Sequence, residues 1–215
     1  MASTSYSRRP SRGTIADYTP MTQPYVSPLI IACMNEVESR GLRRNFLYRQ
    51  NGNFAIAKAV VRGYLMTRRI PDLRRVDIHT VTLTLKIFLS SLSEPLITDE
   101  LRNSFVGASR IAEKLTRDVT LTELLILLPN ANGQTLRYLL YHLRFVTSMA
   151  PGCSFYTLAF VFGPIVVGGS SEYLTPPALS IRKEDQIQVF KSLLEMDHYY
   201  NHVFSSKLRG NIHRR

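Results

Sequence analysis

The chain has 215 residues, 45% of them apolar and 10% aromatic, which is enough for one domain with a sizeable core. Its formal net charge of +11 favours an acidic partner: a nucleic acid, an anionic membrane or an acidic protein surface. The N-terminus lacks the apolar segment of a secretory signal, and no run approaches the ~18 apolar residues of a membrane span. Cys33 and Cys153 have no CxxC partner or flanking His, which predicts buried thiols in a reducing compartment and no metal site. We therefore expect a soluble, cytoplasmic protein.

Both ends of the chain are predicted to lie outside the folded domain. Residues 1–22 are rich in Ser, Thr, Pro and Arg and carry few apolar side chains, a composition typical of a disordered basic tail. Residues 207–215 form a second basic tail. The folded domain is accordingly predicted at residues 23–206, and weak contact of the tails with anionic membranes is left open.

Two helices are predicted in the first third of the domain. Ser27 and Pro28 indicate the start of the first, with the Ser27 hydroxyl as its cap. Gly41 indicates its end through a left-handed turn. The second helix starts at Phe54 and keeps the helical period until Pro71 breaks it.

The stretch between these helices begins at Gly41 and ends at Gly52. A glycine next to a helix end at each side predicts a loop held between the two helices. Burial of Phe46 or Tyr48 would pin this loop and place Arg49 at its tip. On its own the pattern is weak, because an Arg in a loop is most often solvated surface.

The third helix has the strongest periodicity in the chain. Its apolar residues follow steps of three and four, which predicts a core helix with one buried face. Lys86 and Ser90 lie one turn apart on its flank, where both can contact the same partner. The apolar residues of the stripe are Ile78, Val81, Leu85, Phe88 and Leu92.

Further helices are predicted after Pro95. Thr98 caps one whose inner face extends as far as Leu115, and Thr120 and Glu123 have the spacing of a capping box that opens a short one. Pro129 ends this short helix, and the turn at residues 130–133 leads into a longer one.

The last third of the chain is also predicted to be helical. Ser154 caps an apolar helix that Gly163 and Pro164 end, and residues 165–169 are predicted to be extended or loop. A final helix covers about residues 184–204. The fold class is therefore all-α, a single helical domain of about seven to nine helices.

No motif of a self-sufficient enzyme is present. The sequence has no Walker A loop, no GxGxxG, no nucleophile elbow and no carboxylate pair with a nearby His. Six distinctive strings follow one another instead. They are Gly41-Leu-x-x-x-Phe-Leu-Tyr-Arg-x-Asn-Gly52, Asp77-Ile-His79, Leu85-Lys-x-Phe-Leu-x-x-Leu-x-Glu-Pro-Leu-Ile-Thr98, Leu128-Pro-x-Ala-Asn132, Leu136-x-x-Leu-x-x-His-Leu143 and Leu158-Ala-x-Val-Phe-Gly-Pro164.

Together these strings resemble the RhoGAP family, the GTPase-activating domains for Rho, Rac and Cdc42. The resemblance covers residues from about 25 to 204 and implies a RhoGAP-type helical domain. It also implies that Arg49 is the arginine finger, the catalytic residue that a GTPase activator supplies in trans, and that Lys86 contacts the GTPase. The implied partner is a GTP-bound Rho-family GTPase, with Rac or Cdc42 favoured, which can recruit the chain to a membrane. The chain is then an activator without substrate chemistry or a cofactor of its own, because the GTPase carries the GTP and Mg²⁺.

The chain departs from the family pattern at positions that the resemblance implies to be partner-binding. Ser90 replaces the Arg that usually follows the Lys by four residues, and Thr157 replaces an Asn. Ile165 stands where an Asn often follows Gly-Pro, and Asn51 stands in place of a Ser. A lost hydrogen bond to a charged group costs roughly 1.5–3 kcal/mol. We therefore expect the arginine finger to be present but the contacts around it to be weakened, so that the GTPase-activating activity is reduced.

Three functions are compatible with these patterns. The first is activation of a Rac- or Cdc42-like GTPase through Arg49. The second is a docking module that binds a GTP-loaded Rho-family GTPase without catalysing hydrolysis, as the changes at Ser90 and Thr157 suggest. The third is nucleic-acid or membrane binding through the basic tails, which predicts steep salt dependence. The aromatic residues lie on inner helical faces and not between basic residues, which counts against the third.

Overall fold

A computed structural model of the chain describes residues 13–169 and 181–196. Within these residues there is no strand, and a one-turn 3-10 helix (Ile15–Tyr18) precedes eight α-helices. The helices are α1 (Pro28–Arg40), α2 (Phe54–Thr67), α3 (Ile78–Ser90), α4 (Arg102–Ser109), α5 (Lys114–Leu127), α6 (Asn130–Met149), α7 (Phe155–Val167) and α8 (Lys183–Glu195). The predicted all-α class is confirmed.

Helix α3 lies at the centre of the fold, in contact with α1, α2 and α7. Ten of its 13 residues are buried, so it is enclosed on nearly all sides and not on one face as its periodicity predicted. Thr80, Thr82 and Thr84 are buried in it, and the hydroxyls of Thr82 and Thr84 donate to carbonyls one turn earlier in the same helix. Polar residues that bond within the helix can therefore face the core.

Within the described residues, no helix has the length and apolarity that a membrane span needs.

The predicted N-terminal tail, residues 1–22, extends too far into the chain. Ile15 is fully buried, and the ring of Tyr18 meets that of Phe88 edge-on at 5.5 Å between centroids. Thr14 and Asp17 close the turn with a reciprocal capping box. Two apolar side chains three residues apart are enough to attach this turn to the core, although the composition around them is polar. Residues 1–12 and 207–215 lie outside the described residues.

The ends of α1 are as predicted, but the atoms that make them are not. The Ser27 hydroxyl shares a buried hydrogen bond of 2.9 Å with the Tyr64 hydroxyl and does not cap the helix. Gly41 follows the helix with φ −97°, which is not left-handed. A glycine is needed there because a Cβ would lie 2.8 Å from both Ile78 Cγ1 and Val37 O.

The boundary between α4 and α5 differs from the prediction. Helix α4 ends at Ser109, and the carboxylate of Glu113 caps α5 by accepting the backbone N–H groups of Leu115 and Thr116. Thr120 lies inside α5, where its hydroxyl donates to the carbonyl of Thr116. The capping-box spacing at residues 120–123 was therefore misleading, and α6 likewise begins at Asn130, before the predicted turn is complete.

Helix α7 does not end at Gly163 and Pro164, as predicted, but continues to Val167. Pro164 has no N–H for the carbonyl of Phe160, and because residue 160 is on the exposed side of the helix, water can replace the missing donor there. Residues 165–167 are therefore helical and not extended. Helix α8 ends at Glu195, and the predicted continuation from 197 to 204 lies outside the described residues.

Gly163 allows α7 and α8 to approach each other closely. A Cβ at this position would lie 2.7 Å from Gln186 O and 3.1 Å from Ile187 Cα. We expect Gly163→Ala to lower the free energy of unfolding by about 2 kcal/mol, because the backbone of α8 must move. Gly63, inside α2, has nothing within 4 Å of the point where a Cβ would lie. Gly63→Ala is therefore the control and should raise stability by up to about 1 kcal/mol. Urea denaturation measures both, and equal stabilities would contradict the packing argument.

Candidate functional site

The loop between α1 and α2, residues 41–52, has an unusual backbone, and we refer to it as the Arg49 loop. Phe46 and Tyr48 have φ values of 57° and 65°, in the left-handed region that bulky residues seldom adopt. The backbone N–H groups of Arg49 and Gln50 both donate to the carbonyl of Phe46, at 3.1 and 2.9 Å. These bonds close a tight turn with Arg49 in it.

The side chains of the turn point in opposite directions. Leu47 and Tyr48 are fully buried, whereas Phe46 and Arg49 are exposed. Within the described residues, the Arg49 guanidinium contacts the ring of Phe46, 5.8 Å from its centroid. Burial of two neighbours thus holds the loop and leaves the guanidinium available at the surface, as the sequence predicted for the tip.

Lys86 lies beneath the Arg49 loop. Its ammonium donates to the Tyr48 carbonyl at 2.7 Å and to Asn51 Oδ1 at 2.9 Å. The residue is only 9% exposed, and burial lowers the pKa of its ammonium. The sequence placed Lys86 on the flank of α3 facing a partner. In the structure its ammonium supports the loop itself, and Asn51 accepts from it.

The far end of the loop is attached to the start of α3. Gly52 passes so close to that helix that a Cβ would lie 2.2 Å from the backbone nitrogen of Thr80. The Thr80 hydroxyl accepts the N–H of Asn53 at 2.9 Å, and the Asn53 side chain caps α2. Asp77 caps α3 by accepting the N–H of Thr80. Helix α3 therefore holds the loop at two points, Thr80 and Lys86.

A chain of hydrogen bonds supports the loop from the other side. The Tyr48 hydroxyl lies 2.6 Å from His142 Nε2 in α6, and His142 Nδ1 lies 2.6 Å from Glu38 Oε1 at the end of α1. The ring of Tyr48 also packs edge-on against Phe162 at 5.1 Å between centroids. The sequence contained His142 in one of the six strings but gave it no role, and it gave none to Glu38.

Ser90 and Ile165 lie together in a shallow groove of about 290 Å³ between the end of α3 and the end of α7. Ser90 is exposed and Ile165 half-buried, and Pro164 also lines the groove. Thr157 lies at the other end of α7, where its hydroxyl shares a 2.9 Å hydrogen bond with Ser154. The structure thus brings Arg49, Asn51 and Lys86 into one cluster and Ser90 and Ile165 into another.

The start of α7 is joined to the Arg49 loop by a cysteine. Cys153 is half-buried, and its Sγ lies 3.8 Å from the carbonyl of Leu47. Cys33 is buried, as predicted, and burial raises the pKa of its thiol. Ser154, next to Cys153, caps α7 by accepting the N–H of Thr157, which confirms the predicted cap. Thr157 therefore lies one turn beyond the cysteine that contacts the loop.

Comparison with known proteins tests the resemblance that the six strings indicated. Residues 27–170, which include the Arg49 loop, α3 and α7, match the model of the RhoGAP domain. The chain belongs to the RhoGAP family. The match covers all six strings, from Gly41 to Pro164, so the family was correctly identified from them.

One relative of this RhoGAP chain is mouse Rac GTPase-activating protein 1, also known as MgcRacGAP, to which it is 32% identical over 203 residues. The aligned region covers 93% of this chain and 32% of that protein. Within the family, the six strings are also most similar in pattern to the GAP domain of MgcRacGAP, the centralspindlin subunit, and the measured identity agrees with that likeness. Mouse Rho GTPase-activating protein 23 is 31% identical over 193 residues, with 84% of this chain and 12% of that protein covered. The chain spans a third or less of the length of these relatives.

Solved structures show the same RhoGAP fold. Human Rho GTPase activating protein 15 is similar with a TM-score of 0.74 and 27% identity, over 85% of this chain and 87% of that one. The BH domain of GRAF, the GTPase regulator associated with focal adhesion kinase, has a TM-score of 0.70 and 25% identity, over 81% and 93% of the two chains. The predicted RhoGAP-type helical domain is thereby confirmed.

Proposed function

We propose that this RhoGAP domain accelerates GTP hydrolysis on a Rho-family GTPase by inserting Arg49 into the GTPase active site. The observation that carries the proposal is the exposed Arg49 guanidinium on a loop fixed by Lys86 and Tyr48. A finger must reach out of its own protein and yet be held in one direction, and the Arg49 loop meets both requirements.

The chemistry of the GTPase transition state explains why the group is an Arg. Negative charge spreads over the γ-phosphoryl group and the bridging oxygen, and a guanidinium offers planar donors with a permanent charge. An arginine supplied in trans contributes roughly 10³–10⁵ to the hydrolysis rate. The domain needs no cofactor for this step, because the GTPase holds the GTP and Mg²⁺.

The charge around Arg49 suits an anionic partner. Residues 39–71, which contain the loop and α2, hold eight Lys and Arg and no Asp or Glu. Arg43 and Arg44 are exposed in the loop, as is Arg62 on α2. Exposed like charges of this kind attract acidic partners and raise the association rate at low salt. A Rac-type GTPase is our first choice, because mouse Rac GTPase-activating protein 1 is among the relatives.

The second candidate function is docking to a GTP-loaded GTPase without acceleration. It is favoured by Ser90, whose exposed hydroxyl makes no hydrogen bond within the described part of the chain, and by Thr157, whose hydroxyl is engaged with Ser154. Neither side chain has the charge or reach of the family's usual Arg and Asn. A domain weakened at these positions would bind the GTP-loaded GTPase without raising its rate of GTP hydrolysis.

Single-turnover GTP hydrolysis by purified Rac, Cdc42 and Rho, each with and without this domain, separates the two functions. We expect acceleration that saturates with domain concentration and is largest for Rac or Cdc42. Binding to GTPases loaded with a non-hydrolysable GTP analogue is measured in parallel. Tight binding without acceleration would support the docking module and reject the activator. Neither binding nor acceleration would reject both.

Ser90→Arg tests whether the position at the end of α3 limits partner binding. The substitution restores the family's usual charge beside the groove, and we expect the affinity for the GTP-loaded GTPase to rise about tenfold, as one charged hydrogen bond allows. Ser93→Arg adds the same charge to an exposed position three residues further on and serves as the control. Calorimetry measures the affinity of both variants for the GTP-loaded GTPase. An equal gain in affinity would show that the added net charge explains the effect, and would contradict a specific role for residue 90.

A further inference from the structure

A chain of hydrogen bonds, buried at Tyr48 and His142, runs from Glu38 through His142 to Tyr48. Tyr48 is fully buried and His142 is 1% exposed, whereas the Glu38 side chain is 38% exposed. Both bonds measure 2.6 Å, and they join α1, α6 and the Arg49 loop, although Glu38 and His142 are 104 positions apart in the sequence. A histidine from α6 thus joins two polar groups from the first quarter of the chain under one turn of backbone.

The chemistry of the three groups determines which atom donates. An ionised Glu38 carboxylate only accepts, so Nδ1 of His142 carries the proton and donates to it. In a neutral imidazole Nε2 is then an acceptor, and the Tyr48 hydroxyl donates to it. Burial raises the pKa of Tyr48 well above its usual value, so this hydroxyl keeps its proton. Every proton in the hydrogen-bond chain has an acceptor only if Tyr48 donates to His142 and His142 donates to Glu38. If the Tyr48 hydroxyl instead accepted from Nε2, its own proton would have no acceptor.

Tyr48 determines the direction in which Arg49 leaves the loop. Its φ of 65° is unfavourable for a bulky residue and persists only where the surroundings hold it. His142 fixes the hydroxyl end of the side chain, and Lys86 fixes the carbonyl of the same residue. A residue restrained at both ends gives the following residue a defined orientation.

We propose that His142 is a positioning residue for Arg49, acting through Tyr48, and that Glu38 holds His142 in the tautomer that accepts from Tyr48. The inference rests on the proposed function, because the position of Arg49 affects hydrolysis only if Arg49 enters the GTPase site. Loss of these hydrogen bonds would misplace the Arg49 guanidinium but leave the docking surface unchanged. The effect is therefore on the rate at saturation and not on affinity.

Tyr48→Phe is the first test, because it keeps the buried ring and removes only the hydroxyl. We expect the single-turnover rate at saturating domain to fall about tenfold, since Nε2 of His142 is left buried without a partner. The affinity for a Rac-type GTPase loaded with a non-hydrolysable GTP analogue should stay within about twofold of the wild type. An undiminished saturating rate would overturn the proposal.

Two substitutions of His142 form a matched pair. The amide of Gln reaches the position of Nε2 and can still accept from Tyr48, whereas the amide of Asn reaches only the position of Nδ1, toward Glu38. We expect His142→Gln to retain most of the saturating rate and His142→Asn to match Tyr48→Phe. A merely structural histidine would give equal losses in the two variants, and that result would count against a positioning role.

Amide hydrogen exchange gives a readout that needs no GTPase. The amides of Arg49 and Gln50 close the turn on Phe46, and in Tyr48→Phe we expect both to exchange several-fold faster while the amides of α6 keep their wild-type rates. If the wild-type domain does not accelerate hydrolysis, the proposed function fails. Amide hydrogen exchange alone then decides whether the Glu38–His142–Tyr48 hydrogen bonds order the Arg49 loop. Unchanged exchange at Arg49 and Gln50 would overturn the inference in either case.

Discussion

Arg49→Ala is expected to lower the GAP-stimulated rate of GTP hydrolysis by about 10³-fold or more, to near the intrinsic rate of the GTPase. The exposed guanidinium has no structural partner beyond the ring of Phe46 in the described residues, so its removal should leave the fold intact. Affinity for the GTPase loaded with a non-hydrolysable analogue should change little. Single-turnover hydrolysis and binding on the same protein preparations measure the two effects.

Two controls make the Arg49→Ala result specific. Arg44→Ala removes an exposed charge from the same loop and should change the rate by no more than about threefold, as expected for a solvated surface charge. Arg49→Lys keeps the charge and loses the planar fork of donors, so it should recover only a small part of the rate. A stimulated rate that survives Arg49→Ala, or falls equally in Arg44→Ala, would remove Arg49 from the proposed mechanism.

Lys86→Met is expected to reduce the saturating rate by about 10- to 100-fold. The variant keeps the length of the side chain but leaves the Tyr48 carbonyl and Asn51 Oδ1 without the ammonium that they accept from. A hydrogen bond to a charged group contributes roughly 1.5–3 kcal/mol, which corresponds to this range of rates. Single-turnover hydrolysis at saturating domain checks the expected fall.

Thermal unfolding and a second lysine separate this effect from a loss of stability. Removing a largely buried ammonium also removes its desolvation cost, so the midpoint of Lys86→Met should shift by only a few degrees. Lys58→Met on α2 is the control, because that ammonium is exposed and lies 5.8 Å from the Phe54 ring centroid. Equal losses of rate in the two lysine variants would contradict a specific support of the Arg49 loop by Lys86.

Helices whose apolar residues face one core could be predicted from the sequence, and those shaped by close packing could not. Helices α1, α2 and α3 begin within one residue of their predicted starts, because Pro28, Asn53 and Asp77 precede regular apolar spacing. The break between α4 and α5 was missed, since a Thr and a Glu three residues apart also occur inside a helix. Gly163 was misread as part of a stop, because the sequence alone does not show that α8 approaches its backbone.

The candidate site was also predicted only in part, because local sequence patterns do not show the contacts that distant elements make with the Arg49 loop. Arg49 was assigned as the arginine finger from the family pattern of its neighbours in the sequence, and that role stays a prediction. The burial of Lys86 was not predicted, since periodicity placed it at the edge of the α3 stripe and only the loop above it closes that edge. His142 and Glu38 were missed because nothing in either local sequence indicates a partner 104 residues away.

The left-handed backbone at Phe46 and Tyr48 has a consequence for how the domain meets its partner. Fixing one residue of a flexible loop costs roughly 1–2 kcal/mol of conformational entropy. Here the core interactions of Leu47 and Tyr48 offset this cost during folding, before any GTPase arrives. Complex formation should therefore carry little entropic penalty from the loop, and its association rate should be set by diffusion and charge and not by a search among loop conformations.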